Sequence, residues 1–86
     1  MYRTEEGGRS GPVYSGWGCP CMVSKIEPLI GYDAYPILGD SPLLPGDTRT
    51  LGFYFGAEEE AAVVMRNARR FFLWEGRFIG EAQLIE

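Results

Sequence analysis

Three groups of residues in this 86-residue chain could carry chemistry: Cys19-Pro20-Cys21, the run Glu58-Glu59-Glu60, and Arg66, Arg69, Arg70 and Arg77 with Trp74 between them. On an extended strand, residues two apart have Cα atoms roughly 6.5 to 7 Å apart, the upper limit for a disulfide. A Cys19–Cys21 bridge therefore requires a distortion at Pro20. Structural zinc takes four Cys or His ligands, and the chain has two cysteines and no histidine, so a metal site needs a second copy. The plainest reading makes both thiols small apolar side chains on a strand; a metal or bridge shared between subunits and redox chemistry are the sharper alternatives.

The acidic run is contiguous, whereas the oxygen ligands of a calcium loop alternate along the chain, so it reads as the solvated start of a helix. The arginines with Trp74 suit either plain surface charge or a basic and aromatic patch for an RNA backbone or an acidic protein. Without histidine the chain lacks the usual general base near neutral pH and the Ser-His and Cys-His nucleophile pairs. A catalytic alternative would have to use a carboxylate pair such as Asp33 with Asp40, or an arginine-activated thiol, and nothing in the sequence draws those into one pocket. Gly7-Gly8 and Gly76 are not followed by lysine and Ser/Thr at phosphate-loop spacing. No enzyme activity, nucleotide or cofactor is expected.

The elements that must position these residues are short. Forty-five per cent hydrophobic and 14% aromatic residues are enough for a folded core, and the length fits a single domain over residues 1–86. The net charge of -4 supplies no global attraction for nucleic acid. No apolar run approaches a membrane span, and Met1 to Glu6 lacks the basic-then-apolar order of a signal peptide, so a cytoplasmic protein is expected.

Glycine and proline cut the chain into pieces suited to an all-β fold. The loop Glu5 to Pro12 should join two strands, the second running from Val13 to Val23 with Val13, Ser15, Trp17, Cys19, Cys21 and Val23 on one face. Pro20 cannot donate to a ladder, which predicts an edge or interrupted strand. Asp33 to Leu38 permits a short strand. Leu44-Pro45-Gly46-Asp47 fits a type II turn, and Thr48 to Phe55 should follow as a strand with Leu51, Phe53 and Phe55 inward. One short helix or a few helical turns are expected within 57–68, with glutamates first and arginines last. Phe71 to Trp74 and Arg77 to Ile85 should form a hairpin turning at Glu75-Gly76, with Phe78, Gly80, Ala82 and Leu84 on one face.

Taken in order, Glu5-Glu6-Gly7-Gly8-Arg9, Pro12-Val13-Tyr14-Ser15-Gly16-Trp17, Leu44-Pro45-Gly46-Asp47, Arg70-Phe71-Phe72-Leu73-Trp74-Glu75-Gly76 and Ile79-Gly80 resemble the C-terminal β-barrel domain, domain III, of bacterial elongation factor Tu. The resemblance covers nearly the whole chain. It implies a small closed antiparallel six-stranded barrel that performs no chemistry and has no GTPase activity of its own. In that family the domain packs on the GTPase domain, meets the exchange factor and helps hold aminoacyl-tRNA. Glu75-Gly76 match the hairpin that lies against the tRNA, and Arg70 the basic residue before it; Gly18-Cys19-Pro20 stand where the family has Arg-Pro-Gln.

The resulting expectation is a translation-factor-like binding module. A protein partner comes first, and structured, tRNA-like RNA second, through the last hairpin and Arg66, Arg69, Arg70 and Arg77. The contact residues are Arg70, Trp74, Glu75, Gly76 and Arg77. A protein role requires aromatic side chains such as Tyr14, Trp17, Tyr54 or Trp74 to be exposed in an apolar patch. An RNA role requires the four arginines to converge on one face.

Overall fold

The computed structural model describes residues 1–27, 29–56 and 58–85. Five antiparallel strands form one sheet: β1 Cys19–Met22, β2 Gly31–Pro36, β3 Phe53–Phe55, β4 Arg70–Trp74 and β5 Phe78–Gln83, in the order β3-β2-β1-β4-β5. Among the described residues one α-helix, α1 Glu58–Ala68, lies between β3 and β4 in the chain. The small, sheet-rich, all-β class is as expected.

The closed six-stranded barrel is not formed. β3 and β5 are the two edges of the sheet and do not pair with each other. The expected N-terminal strand is replaced by a one-turn 3-10 helix at Thr4–Glu6, and a single bond from the Tyr2 N–H to the Ile79 carbonyl, 2.9 Å, ties the N-terminal segment to the edge of β5. The segment before β3 is equally unpaired: of the strand expected over 48–55 only Phe53–Phe55 forms, because β2 offers partners no further than Pro36 and a last bond from the Ile37 N–H to the Gly52 carbonyl, 2.8 Å. Closure fails where both bordering segments lack a ladder.

β1 is also shorter than expected and lies at the centre. A turn from the Trp17 N–H to the Tyr14 carbonyl, 3.0 Å, interrupts the run, leaving Val13 joined only to Leu43. Pro20 is tolerated in a central strand because the β1–β4 ladder starts beyond it, pairing Cys21 with Leu73 and Met22 with Phe72, while Pro20 faces Asp33 on β2. Of the two expected outcomes, an edge strand is excluded by the central place of β1, and the interruption is that of the β1–β4 ladder, which stops short of the residue without an N–H.

The Leu44-to-Asp47 turn forms, closed by the Asp47 N–H to the Leu44 carbonyl at 3.0 Å, with Gly46 at φ 88°. The hairpin forms too, with Gly76 at φ 74°, but a bulge between Leu73 and Trp74 shifts its phase. Gly80 and Ala82 share a face as expected, opposite Leu73 and Phe71, whereas Phe78 leaves that face to pair with Trp74 and Ile79 turns inward, fully buried. A bulge supplies one extra residue, so two neighbours can leave the alternating pattern.

The main core joins Cys19, Cys21, Ala34, Met65, Phe71, Leu73 and Ile79, with Phe53 and Phe55 packed against it. Phe71 meets both phenylalanines edge-on, at ring-centroid distances of 5.2 and 5.8 Å. Ala61 and Met65, one turn apart, are the buried residues of α1, so packing on this core explains how an eleven-residue helix containing Val63-Val64 persists. A second cluster, Val13, Leu38 and Leu43, shares Met1 and Trp17 with the first.

Candidate functional site

The tertiary fold gives Glu75 and Arg77, two of the expected contact residues, partners within the chain. Arg77 is committed to the N-terminal loop, its Nε donating to the Gly7 carbonyl at 2.7 Å and its Nη2 to the Gly8 carbonyl at 3.1 Å. Glu75 is equally engaged: the Arg9 guanidinium donates to both carboxylate oxygens, one at 2.6 Å, and the Trp17 indole N–H donates to one of them at 3.2 Å. Arg9 also lies over the Trp17 ring, 5.6 Å from its centroid. Gly76 is the turn residue between them. Trp74 is half-buried against Phe78, with ring centroids 4.9 Å apart. This tip of the hairpin is therefore a fastening for residues 7–17, an internal role that the long sequence separation hid.

Arg69 occupies the junction between α1 and β4 with φ 63°, a left-handed conformation unusual for a side-chain-bearing residue. Arg66 and Arg70 flank that junction and line a cleft of about 830 Å³. Phe53, Phe55, Met65, Phe71 and Leu73 line it, together with Thr48 to Leu51 and Glu81 to Ile85. Of the four arginines the chain groups in sequence, two thus converge and two do not. The separation of Arg77 arises because it follows the hairpin turn.

A second surface gathers aromatic residues. Tyr35 and Tyr54 are directly opposite each other in the β2–β3 ladder, 45% and 65% exposed, beside Ile37 at 52%. Tyr35, Ile37 and Tyr54 line a shallow depression with Ser15 and Gly16, next to Tyr14, which is itself 62% exposed. Tyr14 and Tyr54 are therefore exposed as a protein-binding role demands. Trp17 and Trp74 are half-buried instead, held by Glu75 and Phe78. Tyr35 and Ile37 were missed by sequence reading; their outward positions, alternating with buried Ala34, Pro36 and Leu38, were the available signal.

The two thiols are free and face the core together. The Cys21 Sγ–H points to the Cys19 carbonyl at 3.9 Å. The interaction with Cys19, reinforced by burial, holds the Cys21 thiol far above its ordinary range, while the hydrogen bond from Cys21 lowers Cys19. Cys19 is thus the thiol that ionises first. Among the described residues no group of three His, Cys, Asp or Glu side chains could hold a metal ion. In the acidic run, Glu60 accepts a bond from the Tyr32 hydroxyl at 3.4 Å, tying α1 to β2. The native protein should react with a bulky disulfide reagent at least about a hundredfold more slowly than the unfolded chain, and Cys19 first, because both sulfurs are occluded. Rapid reaction of two thiols in the folded state, measured by thiol titration, would contradict the burial.

No polar or charged residue is buried among the described residues, and none of their helices is long and apolar enough to cross a membrane. No protein family, curated protein or solved structure matches the chain.

Proposed function

We propose that the protein is a cytoplasmic, non-catalytic, translation-factor-like binding module that engages a protein partner through Tyr35, Tyr54, Ile37 and Tyr14. The order of its turn motifs supports the likeness to elongation factor Tu. The carrying observation for a protein partner is the exposed tyrosine pair on adjacent strands, flanked by an exposed isoleucine. Aromatic side chains of low conformational entropy beside an apolar neighbour are typical anchors of protein interfaces. The divided arginines weigh against RNA, since Arg77 spends its donors on Gly7 and Gly8.

A photo-crosslinking residue at position 54 should capture a discrete partner. Against that partner, once purified, Tyr35→Ala with Tyr54→Ala should weaken binding by about thirtyfold or more, the scale of roughly 2 kcal/mol for a hot-spot pair, with unchanged melting temperature. Arg66→Ala with Arg70→Ala should leave it within a few-fold. Labelled tRNA titrated at two salt concentrations completes the test. Tight binding at low salt that weakens steeply as salt rises, together with capture indifferent to the tyrosines, would replace the protein reading by the RNA one.

A further inference from the structure

The cleft beside β5 is lined by two stretches of backbone that have no backbone partner among the described residues. The Leu84 N–H bonds to the Arg69 carbonyl at 3.0 Å, which sets the phase of the β4–β5 ladder: Ala82 and Gly80 turn their main-chain groups to β4, and Glu81 and Gln83 turn theirs outward. Among the described residues, no backbone bond reaches that outer edge at Glu81 or Gln83, and none is made by Thr48 to Leu51. Two unpaired stretches of backbone thus line one cleft with Phe53, Phe55 and Phe71.

A single rung already spans them. The Tyr2 N–H bonds to the Ile79 carbonyl on one side, while the Gly46 N–H bonds to the Met1 and Tyr2 carbonyls, each at 3.2 Å, on the other. A Cβ placed on Gly80 would lie 3.4 Å from the Met1 Cα, so Tyr2 sits at Ile79 and Met1 at Gly80. The rung therefore runs antiparallel to β5, and a strand extending its line passes Glu81 and Gln83 toward Arg70, which is opposite Gln83 in the ladder. Arg66 and Arg70 are exposed there, and neither has an ion-pair partner among the described residues.

At roughly 3.3 Å of rise, 4.8 Å of strand spacing and 10 Å of sheet thickness, one strand residue fills roughly 160 Å³. The cleft of about 830 Å³, which opens to solvent, is thus commensurate with a strand of about five residues, close to the six of β5.

We propose that the cleft takes an extended segment of a partner protein as an added strand, antiparallel to β5, about five residues long. Its apolar side chains alternate onto Phe53, Phe55 and Phe71, and acidic residues at its N-terminal end meet Arg66 and Arg70. Main-chain bonds supply the affinity, and the phenylalanines and the arginines supply the sequence preference. This surface is separate from the tyrosine patch, and either can fail without the other.

The probe is an acetylated and amidated peptide, Asp-Asp-Val-Thr-Val-Thr-Val, added to the full chain and followed by NMR-detected amide exchange. Saturating peptide should slow exchange at Glu81 and Gln83 by about tenfold or more. Arg66→Glu with Arg70→Glu should weaken binding about fivefold, the scale of two exposed ion pairs, and lysines in place of the two aspartates should restore it. Unchanged exchange at millimolar peptide overturns the proposal. So does equal binding by a peptide whose central threonine is proline, which lacks the N–H of an added strand. Binding of decanoate with the same arginine dependence, where the peptide fails, would mark a small-anion site instead.

Discussion

Phe71→Ala should lower stability by about 4 kcal/mol and the melting temperature by on the order of 20 °C, read by thermal denaturation. Phe71 is 4% exposed and is the ring against which Phe53 and Phe55 both pack edge-on. Truncation removes the transfer free energy of a benzyl group and leaves a void that its neighbours can only partly close. It also uncouples β3 from β4, which do not pair directly, so the contact across the sheet face is lost with the volume. A domain of this size has roughly 4 to 13 kcal/mol of total stability, so the variant should approach the unfolding threshold at room temperature. Val63→Ala, on the exposed side of α1 at 54%, is the comparison and should stay within about 0.5 kcal/mol. Similar melting temperatures for the two variants would remove the claim that this aromatic trio holds the sheet.

The second large effect is expected at the bulge. Ile79 is fully buried although plain alternation would turn it outward with Glu81 and Gln83. Ile79→Ala should cost about 3 kcal/mol, whereas Ile79→Val should cost about 1 kcal/mol because it removes a single methylene. The graded pair separates two accounts. If Ile79 were merely an irregular residue in a hairpin, both substitutions would be nearly neutral in urea unfolding. If it is the core anchor that the bulge delivers, the alanine variant should unfold at clearly lower denaturant with the slope unchanged. Loss of the bulge should also release the Tyr2 segment, whose bond is to the Ile79 carbonyl.

Much of the fold follows from local chemistry. Pro45-Gly46 and Glu75-Gly76 fix two turns, because proline presets one backbone angle and glycine accepts the positive one. The alternation of Leu51, Phe53 and Phe55 with Thr50, Gly52 and Tyr54 appears as half-buried and exposed residues in the structure, even where no strand forms. The glutamate-to-arginine polarity of residues 58–70 marks the helix. These signals depend on neighbours a few residues apart, where sequence and space coincide.

The candidate sites were less legible for the same reason. Arg77 and Glu75 look like free surface charge, yet their partners are Gly7, Gly8, Arg9 and Trp17, more than fifty residues away. Tyr35 and Tyr54 become neighbours only through the β2–β3 register.

The amino-acid sequence by itself determined the turns, the helix, the inward face of the last hairpin from Gly80 onward, and the absence of histidine chemistry. Only the tertiary structure decided that the sheet stays open, that Pro20 lies in its centre, and that Arg66 and Arg70 part from Arg77. Short-range preferences are set by the residue and its immediate neighbours, whereas closure and charge grouping depend on which distant backbone edges find a partner. Here the outer edge of β5 at Glu81 and Gln83 and the backbone of residues 48–51 find none among the described residues, and both line one cleft.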